Sequence, residues 1–289
     1  MTTLAGSSSH GGAASIATGT SARFKYPRGI TTDGTNLYVV DNANFRIRKI
    51  VIDNGTVTTL AGSSQGSSDN ATGTSASFDN PMGITTDGTN LYVADNGNDR
   101  IRKIVIDNGT VTTLAGSSQG SIDATGTSAS FNNPHGITTD GTNLYVADES
   151  NHRIRKIVID NGTVTTLAGS SQGYTDATGT SARFYRPRGI TTDGTNLYVA
   201  DLFNNRIRKI VIDNGTVTTI AGQSDNGSAD GIGTAASFWY PSQITTDGTN
   251  LYVVDGFNHS IRKIVISTGV VTTVAGTPGS PGNADNATG

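Results

Sequence analysis

Gly29-Ile-Thr-Thr-Asp-Gly-Thr-Asn-Leu-Tyr-Val-Val-Asp41 recurs almost letter for letter from Gly83, Gly136 and Gly189, and again from Gln243 with Gln in place of the Gly. The copies stand 53 or 54 residues apart (29 to 83, 83 to 136, 136 to 189, 189 to 243). A fixed period of this size marks a repeat architecture, in which each unit buries its apolar faces on its neighbours. The period therefore argues for one domain over residues 1–289, since nothing between copies reads as a linker with its own core.

Working outward within copy 1, Gly29–Asp33 reads as a first strand and Asp33-Gly-Thr-Asn36 as a tight turn. Leu37–Val40 is a second strand, apolar on both faces, and Asp41–Phe45 a polar loop. Ile47–Ile52 is a third strand, Asp53-Asn54-Gly55 a hairpin turn of type I′ character, and Thr56–Ala61 a fourth strand. A loop of roughly twenty residues leads to the next copy. It ends on an apolar plug, Phe24, Phe78, Phe131, Phe184 or Phe238, followed by a Pro that fixes φ where the next first strand begins. Strands apolar on both faces imply sheets stacked face to face. The predicted fold is all-β: a β-propeller of five four-stranded antiparallel blades, approximately 29–62, 83–116, 136–169, 189–222 and 243–276, with 1–28 as an extra N-terminal strand and loop. A six-bladed or incomplete six-bladed ring, and an open β solenoid, are the alternatives.

The fourth-strand motif Thr-Thr-Leu-Ala-Gly occurs once more than the first strand, at Thr2–Gly6. Thr2–Gly6 and Thr272–Gly276 thus compete for the edge of Ile261–Ile266. The local hairpin through Ser267-Thr-Gly269 has the smaller loop-closure cost, so Thr272–Gly276 is expected to pair there.

Composition narrows the function classes. The net charge of −3 supplies no field for nucleic acid, the absence of Cys excludes a disulfide framework, and no apolar run approaches the ~20 residues of a membrane helix. Met1-Thr-Thr-Leu-Ala-Gly lacks the basic start and apolar run of a signal peptide. Its start inside a repeat unit points to an excised piece of a longer protein.

Leu144-Tyr-Val-Ala-Asp148-Glu-Ser-Asn151-His152-Arg153-Ile154 resembles the signature of the NHL-repeat β-propeller family, in which Tyr-Val-Ala-Asp and a short loop precede Asn-His-Arg-Ile. The resemblance covers residues 20 to 276 approximately. Asp, Asn and Arg recur at Asp41/Asn44/Arg46, Asp95/Asn98/Arg100, Asp148/Asn151/Arg153 and Asp201/Asn204/Arg206, whereas the fifth copy has Asp255/Asn258 with Ser260 in place of Arg. Family members are most often six-bladed. The resemblance implies a rigid interaction scaffold, sometimes an enzyme; lyase members of related propellers hold a metal with channel-lining His. The four His here, His10, His135, His152 and His259, do not share one equivalent position, so no metal or cofactor site is expected.

Positions that match across copies build the blade; those that differ are free for something else. By strand direction, the loops before each first strand and between second and third strands fall on one face of the disc, and the monotonous turns on the other. The Asp/Arg pairs Asp41/Arg46, Asp95/Arg100, Asp148/Arg153 and Asp201/Arg206 are read as structural loop clamps. Asp225-Asn-Gly-Ser-Ala-Asp230 partly resembles a calcium loop but lacks its bidentate Glu, and reads as a polar turn. Asn54-Gly-Thr56 matches a glycosylation acceptor and reads as the hairpin turn.

Aromatics beyond the repeating set fall only in the varying loops. Tyr26, Arg28, Tyr185, Arg186, Arg188, Phe203, Trp239, Tyr240 and Phe257 form the candidate binding sector, Tyr and Trp and Arg being the types enriched at hot spots. The expected function is a non-enzymatic module, bacterial and extracellular or cell-surface, holding a protein or glycan as a monomer, with neither nucleic acid nor membrane as partner. The alternatives are a lyase- or hydrolase-type enzyme with a channel-mouth site, and an architectural spacer.

Overall fold

Each Asp-Gly-Thr-Asn turn closes on its own aspartate. Asp33 Oδ1 accepts the Thr35 and Asn36 N–H groups at 2.8 and 2.6 Å, and Gly34 takes φ +88°. Tyr38 lays its ring in the core and donates its hydroxyl to Asp33 Oδ2 at 2.8 Å. The pattern returns at Asp87/Tyr92, Asp193/Tyr198 and Asp247/Tyr252, which is why these letters do not vary. Burial alone would raise the Asp33 carboxyl; the bonds from Asn36, Tyr38 and Thr35 outweigh it and hold the group well below the usual carboxylate range.

The computed structural model describes residues 3–6 and 16–282. It is all-β, a five-bladed β-propeller of four-stranded antiparallel blades. In copy 1 the strands are Pro27–Thr32, Asn36–Asp41, Arg46–Val51 and Thr56–Ala61, in copy 4 Pro187–Thr192, Asn196–Asp201, Arg206–Val211 and Val217–Gly222. The second and third strands pair in unbroken register, Asn196 opposite Val211 through Asp201 opposite Arg206. The chain divides into two compact units, Asn143–Lys156 with Thr165–Gly289, and Thr2–Thr142 with Ile157–Val164.

The core lies between consecutive sheets. In the second unit Tyr38, Val40, Ile47 and Ala61 of copy 1 pack on Ile84, Leu91, Val93, Ile104 and Val111 of copy 2, with Phe78 and Ala76 in the seam. In the first unit the same set recurs between copies 3 and 4 around Phe184, and between copies 4 and 5 around Phe238.

Two expectations change. The Asp53-Asn54-Gly55 turn is not type I′, because among its residues only Gly55 has positive φ (+67°). Asn54 spends its side chain accepting the Thr56 N–H at 2.9 Å, which holds the residue out of the left-handed region. The extra N-terminal strand is Ile16–Thr18, paired with Thr56–Thr58 of copy 1's own fourth strand. Thr2 lies outside the described residues, and Thr3–Gly6 forms no strand. As expected, Val270–Ala275 pairs with Ser260–Val265 as the last fourth strand.

Candidate functional site

The varying loops are tied down by one buried carboxylate per copy. Asp201 Oδ1 accepts the Tyr185 N–H at 2.7 Å, and Asp255 Oδ1 accepts the Trp239 N–H at 2.7 Å. The other oxygen of Asp201 accepts Asn204 Nδ2 at 2.8 Å and Arg208 Nη1 at 2.7 Å, all within the interior. Each carboxylate therefore fixes the residue just past the Phe plug. Burial pushes the Asp201 carboxyl up to about 6, and only the Arg208 charge and these bonds oppose it.

The guanidinium that meets each carboxylate belongs to Arg48, Arg102, Arg155, Arg208 or Arg262, in the first four copies two residues beyond the arginine inferred from spacing and in the fifth two beyond Ser260. Residues two apart share a strand face, so either arginine of Arg-Ile-Arg suits the pattern; burial selects the inner one. Arg208 also takes Asp176 of the long loop at 2.6 Å and lies 5.0 Å above the Phe184 ring. Two of the outer arginines turn to the long loop instead: Arg100 donates to Ser67 O at 3.2 Å, and Arg206 lies 4.3 Å over Tyr174. Asp230, last in the calcium-like stretch, pairs with Arg262 at 2.8 Å and accepts from Thr273.

On this frame the first unit carries a continuous row of rings. His152 meets Tyr185 edge-on at 5.7 Å, Tyr185 stacks on Phe203 at 4.9 Å, Phe203 meets Tyr240 at 5.0 Å, Tyr240 meets Phe257 at 4.8 Å, and Trp239 lies 5.4 Å from Phe257. Tyr185, Phe203 and Tyr240 are half-buried in the row; Trp239 and Phe257 stand exposed. Arg186 lies 5.7 Å over Phe203. Glu149, almost fully buried, serves both Arg188 at 3.2 Å and Arg186 at 3.7 Å, so the cluster carries one positive charge more than it neutralises.

Spacing alone missed His152 and Glu149. Both sit at varying loop positions, and His152 also stands in the Asn-His-Arg-Ile signature, but neither signal tied them to the aromatic sector. His152 Nδ1 accepts the Arg186 N–H at 3.1 Å, and burial together with the Arg186 charge lowers its pKa, so the ring is neutral. Tyr26 and Arg28 belong to the second unit; both are exposed, and Tyr26 joins no ring among the described residues. His10 lies outside the described residues, and among those described no three His, Cys, Asp or Glu side chains converge as a metal site.

The residue before each first-strand Pro is left-handed: Tyr26, Asn80, Asn133, Arg186 and Tyr240 have φ of 50, 49, 54, 54 and 53°. Asn tolerates this region, whereas Tyr and Arg pay for it. Copies 2 and 3 use the cheap residue; copies 1, 4 and 5 do not. Tyr26→Asn is expected to raise the unfolding free energy by about 0.5–1 kcal/mol, measured by urea titration. A loss of stability would contradict the backbone cost.

A profile of the NHL repeat matches residues 131–157. NHL repeat-containing protein 2 of Homo sapiens is 28% identical over 86% of this chain and 40% of its own length, so the chain spans about two fifths of that relative. Among solved structures, a nidogen/laminin complex superposes with TM-score 0.62 at 20% identity, covering 86% of this chain and 80% of that one. Virginiamycin B lyase of Staphylococcus aureus superposes with TM-score 0.56 at 18% identity, covering 88% and 70%. These structural likenesses bear on the fold. The similar relatives also include chicken, cattle and chloroplastic plant proteins, and they overturn the expectation of a bacterial, extracellular or cell-surface protein.

Proposed function

The chain is an NHL-repeat β-propeller, and from that premise we propose that it is a non-enzymatic binding module whose first unit grips a protein or glycan through the row from His152 to Phe257. One observation carries the reading: Arg186 and Tyr240 occupy left-handed positions that Asn80 and Asn133 fill at lower cost. Strain kept at a varying surface position is a pointer to function rather than to folding. The exposed rings add apolar area, and the charge left over on Arg186 and Arg188 favours a carboxylate beside it. The ligand chemistry that fits is an apolar or ring-bearing surface with an adjacent acid. An acidic, aromatic peptide segment supplies it, and so does an acidic glycan.

Trp239, the one Trp, reports binding to the wild type by fluorescence, and isothermal titration calorimetry measures the affinity of both the wild type and the variant. Acidic aromatic peptides and acidic oligosaccharides are titrated against the wild type and a Tyr185→Ala/Trp239→Ala variant. Each well-buried aromatic anchor is worth ~2 kcal/mol, so the variant is expected to bind at least about 30-fold more weakly. Equal affinity of the two proteins for a bound probe, or no probe binding the wild type, rejects the reading.

A further inference from the structure

The last residue of each loop between second and third strands is also left-handed: Phe45, Asp99, His152, Asn205 and His259 have φ of 56, 53, 58, 53 and 53°. In copies 2, 3 and 4 its side chain accepts the backbone N–H of the left-handed residue before the next copy's Pro. Asp99 Oδ1 takes the Asn133 N–H at 2.8 Å, His152 Nδ1 the Arg186 N–H at 3.1 Å, and Asn205 Oδ1 the Tyr240 N–H at 3.0 Å. Phe45 has no acceptor to offer, and copy 1 forms its blade without one. Three different groups thus do one job, and they differ in one chemical respect. Carboxyl and amide oxygens accept at any pH, whereas an imidazole nitrogen accepts only while it is unprotonated.

His152 makes its tie at the charged end of the ring row. With Nδ1 accepting, the neutral ring carries its proton on Nε2. The same ring meets Tyr185 edge-on at 5.7 Å, so it contacts both residues that begin the row. The charged groups around it are Arg186 and Arg188 of the next copy, and Asp148, Glu149 and Arg153 of its own. Glu149 is shared by Arg186 and Arg188, and Asp148 bonds Arg155 at 2.8 Å. Both acids are engaged by arginines, and the charge that acts on the ring is that of Arg186.

We propose that His152 is a positioning residue for Arg186, holding it in place for the acid group of a ligand while the ring is neutral and releasing it when the ring takes up a proton. The proposal rests on the binding reading above and adds regulation to the same site. Protonation puts a hydrogen on Nδ1, where the Arg186 N–H already points, and sets a second positive charge beside Arg186. Once released, Arg186 is free to leave its left-handed backbone (φ 54°). Burial and the Arg186 charge both lower the pKa of the ring. The tie is therefore complete above the ordinary histidine value of about 6.5 and is lost as the pH falls below it.

Nuclear magnetic resonance on the whole chain tests the tie without any ligand. The ring nitrogen shifts are expected to show the Nε2–H tautomer at neutral pH, and the Arg186 amide shift to follow the ring's own titration. In His152→Asn an amide oxygen replaces Nδ1, as at Asn205, and the Arg186 amide is expected to stay protected from exchange across that range. In His152→Ala its protection is expected to fall about 5-fold, the loss of one neutral hydrogen bond. Rescue by Asn separates loss of the tie from loss of the fold. Calorimetry with a short peptide of alternating Glu and Tyr then reads the regulation. Asp201, pushed up to about 6, titrates in the same range and holds the Tyr185 N–H, so His152→Asn, which leaves Asp201 in place, is the reference. From about pH 7.5 to about pH 5 the wild type is expected to lose about 5-fold more affinity than His152→Asn. An Nδ1–H tautomer at neutral pH, an Arg186 amide indifferent to the ring titration, or an Ala variant as protected as the wild type overturns the tie. Equal pH dependence of binding in the two proteins overturns the regulation while leaving the binding reading intact; a peptide that binds neither protein counts against both.

Discussion

Replacing Arg208 by Met is expected to lower the unfolding free energy by about 3–5 kcal/mol, because removing one partner of a buried pair strands the other charge. The Arg208 side chain is fully buried and bonds Asp201 at 2.7 Å, Asp176 at 2.6 Å and Arg183 O at 3.0 Å. Asp201 is equally buried and already pushed up to about 6 with Arg208 beside it, so without the cation it would be forced to protonate. The same loss would loosen the Tyr185 N–H that Asp201 holds, and with it the start of the ring row. The measurement is urea unfolding of Arg208→Met, Asp201→Asn and the double variant. Neutralising Asp201 removes the stranded charge, so the double is expected to be more stable than Arg208→Met alone. A single-variant cost under about 1 kcal/mol would show the pair to be dispensable. Arg206→Met is the contrast: its guanidinium lies over the exposed Tyr174 ring, and an exposed cation–π contact is worth about 0.5–1 kcal/mol.

Phe184→Ala is expected to cost about 3–5 kcal/mol, the range for deleting a core aromatic. Phe184 is fully buried between Gly169 of the preceding copy and the Arg208 guanidinium, within a cluster that includes Tyr145, Ala168 and Ile190. The glycine side cannot close over the gap without moving a fourth strand that is paired along its length. Phe24→Ala, at a half-exposed plug, is expected to cost much less. Equal costs at both positions would mean that the plug stabilises its own loop rather than the joint.

The period of the repeat, the alternation of its strands and its turn letters were enough to determine the fold class, because they are local properties repeated five times over. Asp33, Asn36 and Tyr38 recur since one turn needs all three, and the plug Phe recurs since each joint needs a ring on a glycine. The concentration of spare aromatics in the varying loops was also legible. Which arginine holds each carboxylate was not, because Arg206 and Arg208 share a strand face and differ only in depth, which exists once sheets are stacked. Nor was the entry of His152 and Glu149 into the ring row, since each meets its partners across more than thirty residues of chain. The hairpin at Asn54 went the other way from its dipeptide rule because a side-chain bond to Thr56 outweighed the backbone preference. Tertiary structure alone decided that copies of nearly identical sequence differ in exposure. Ile30 and Ile84 are the same residue in the same motif, and what buries Ile84 is the sheet of copy 1 packed against it.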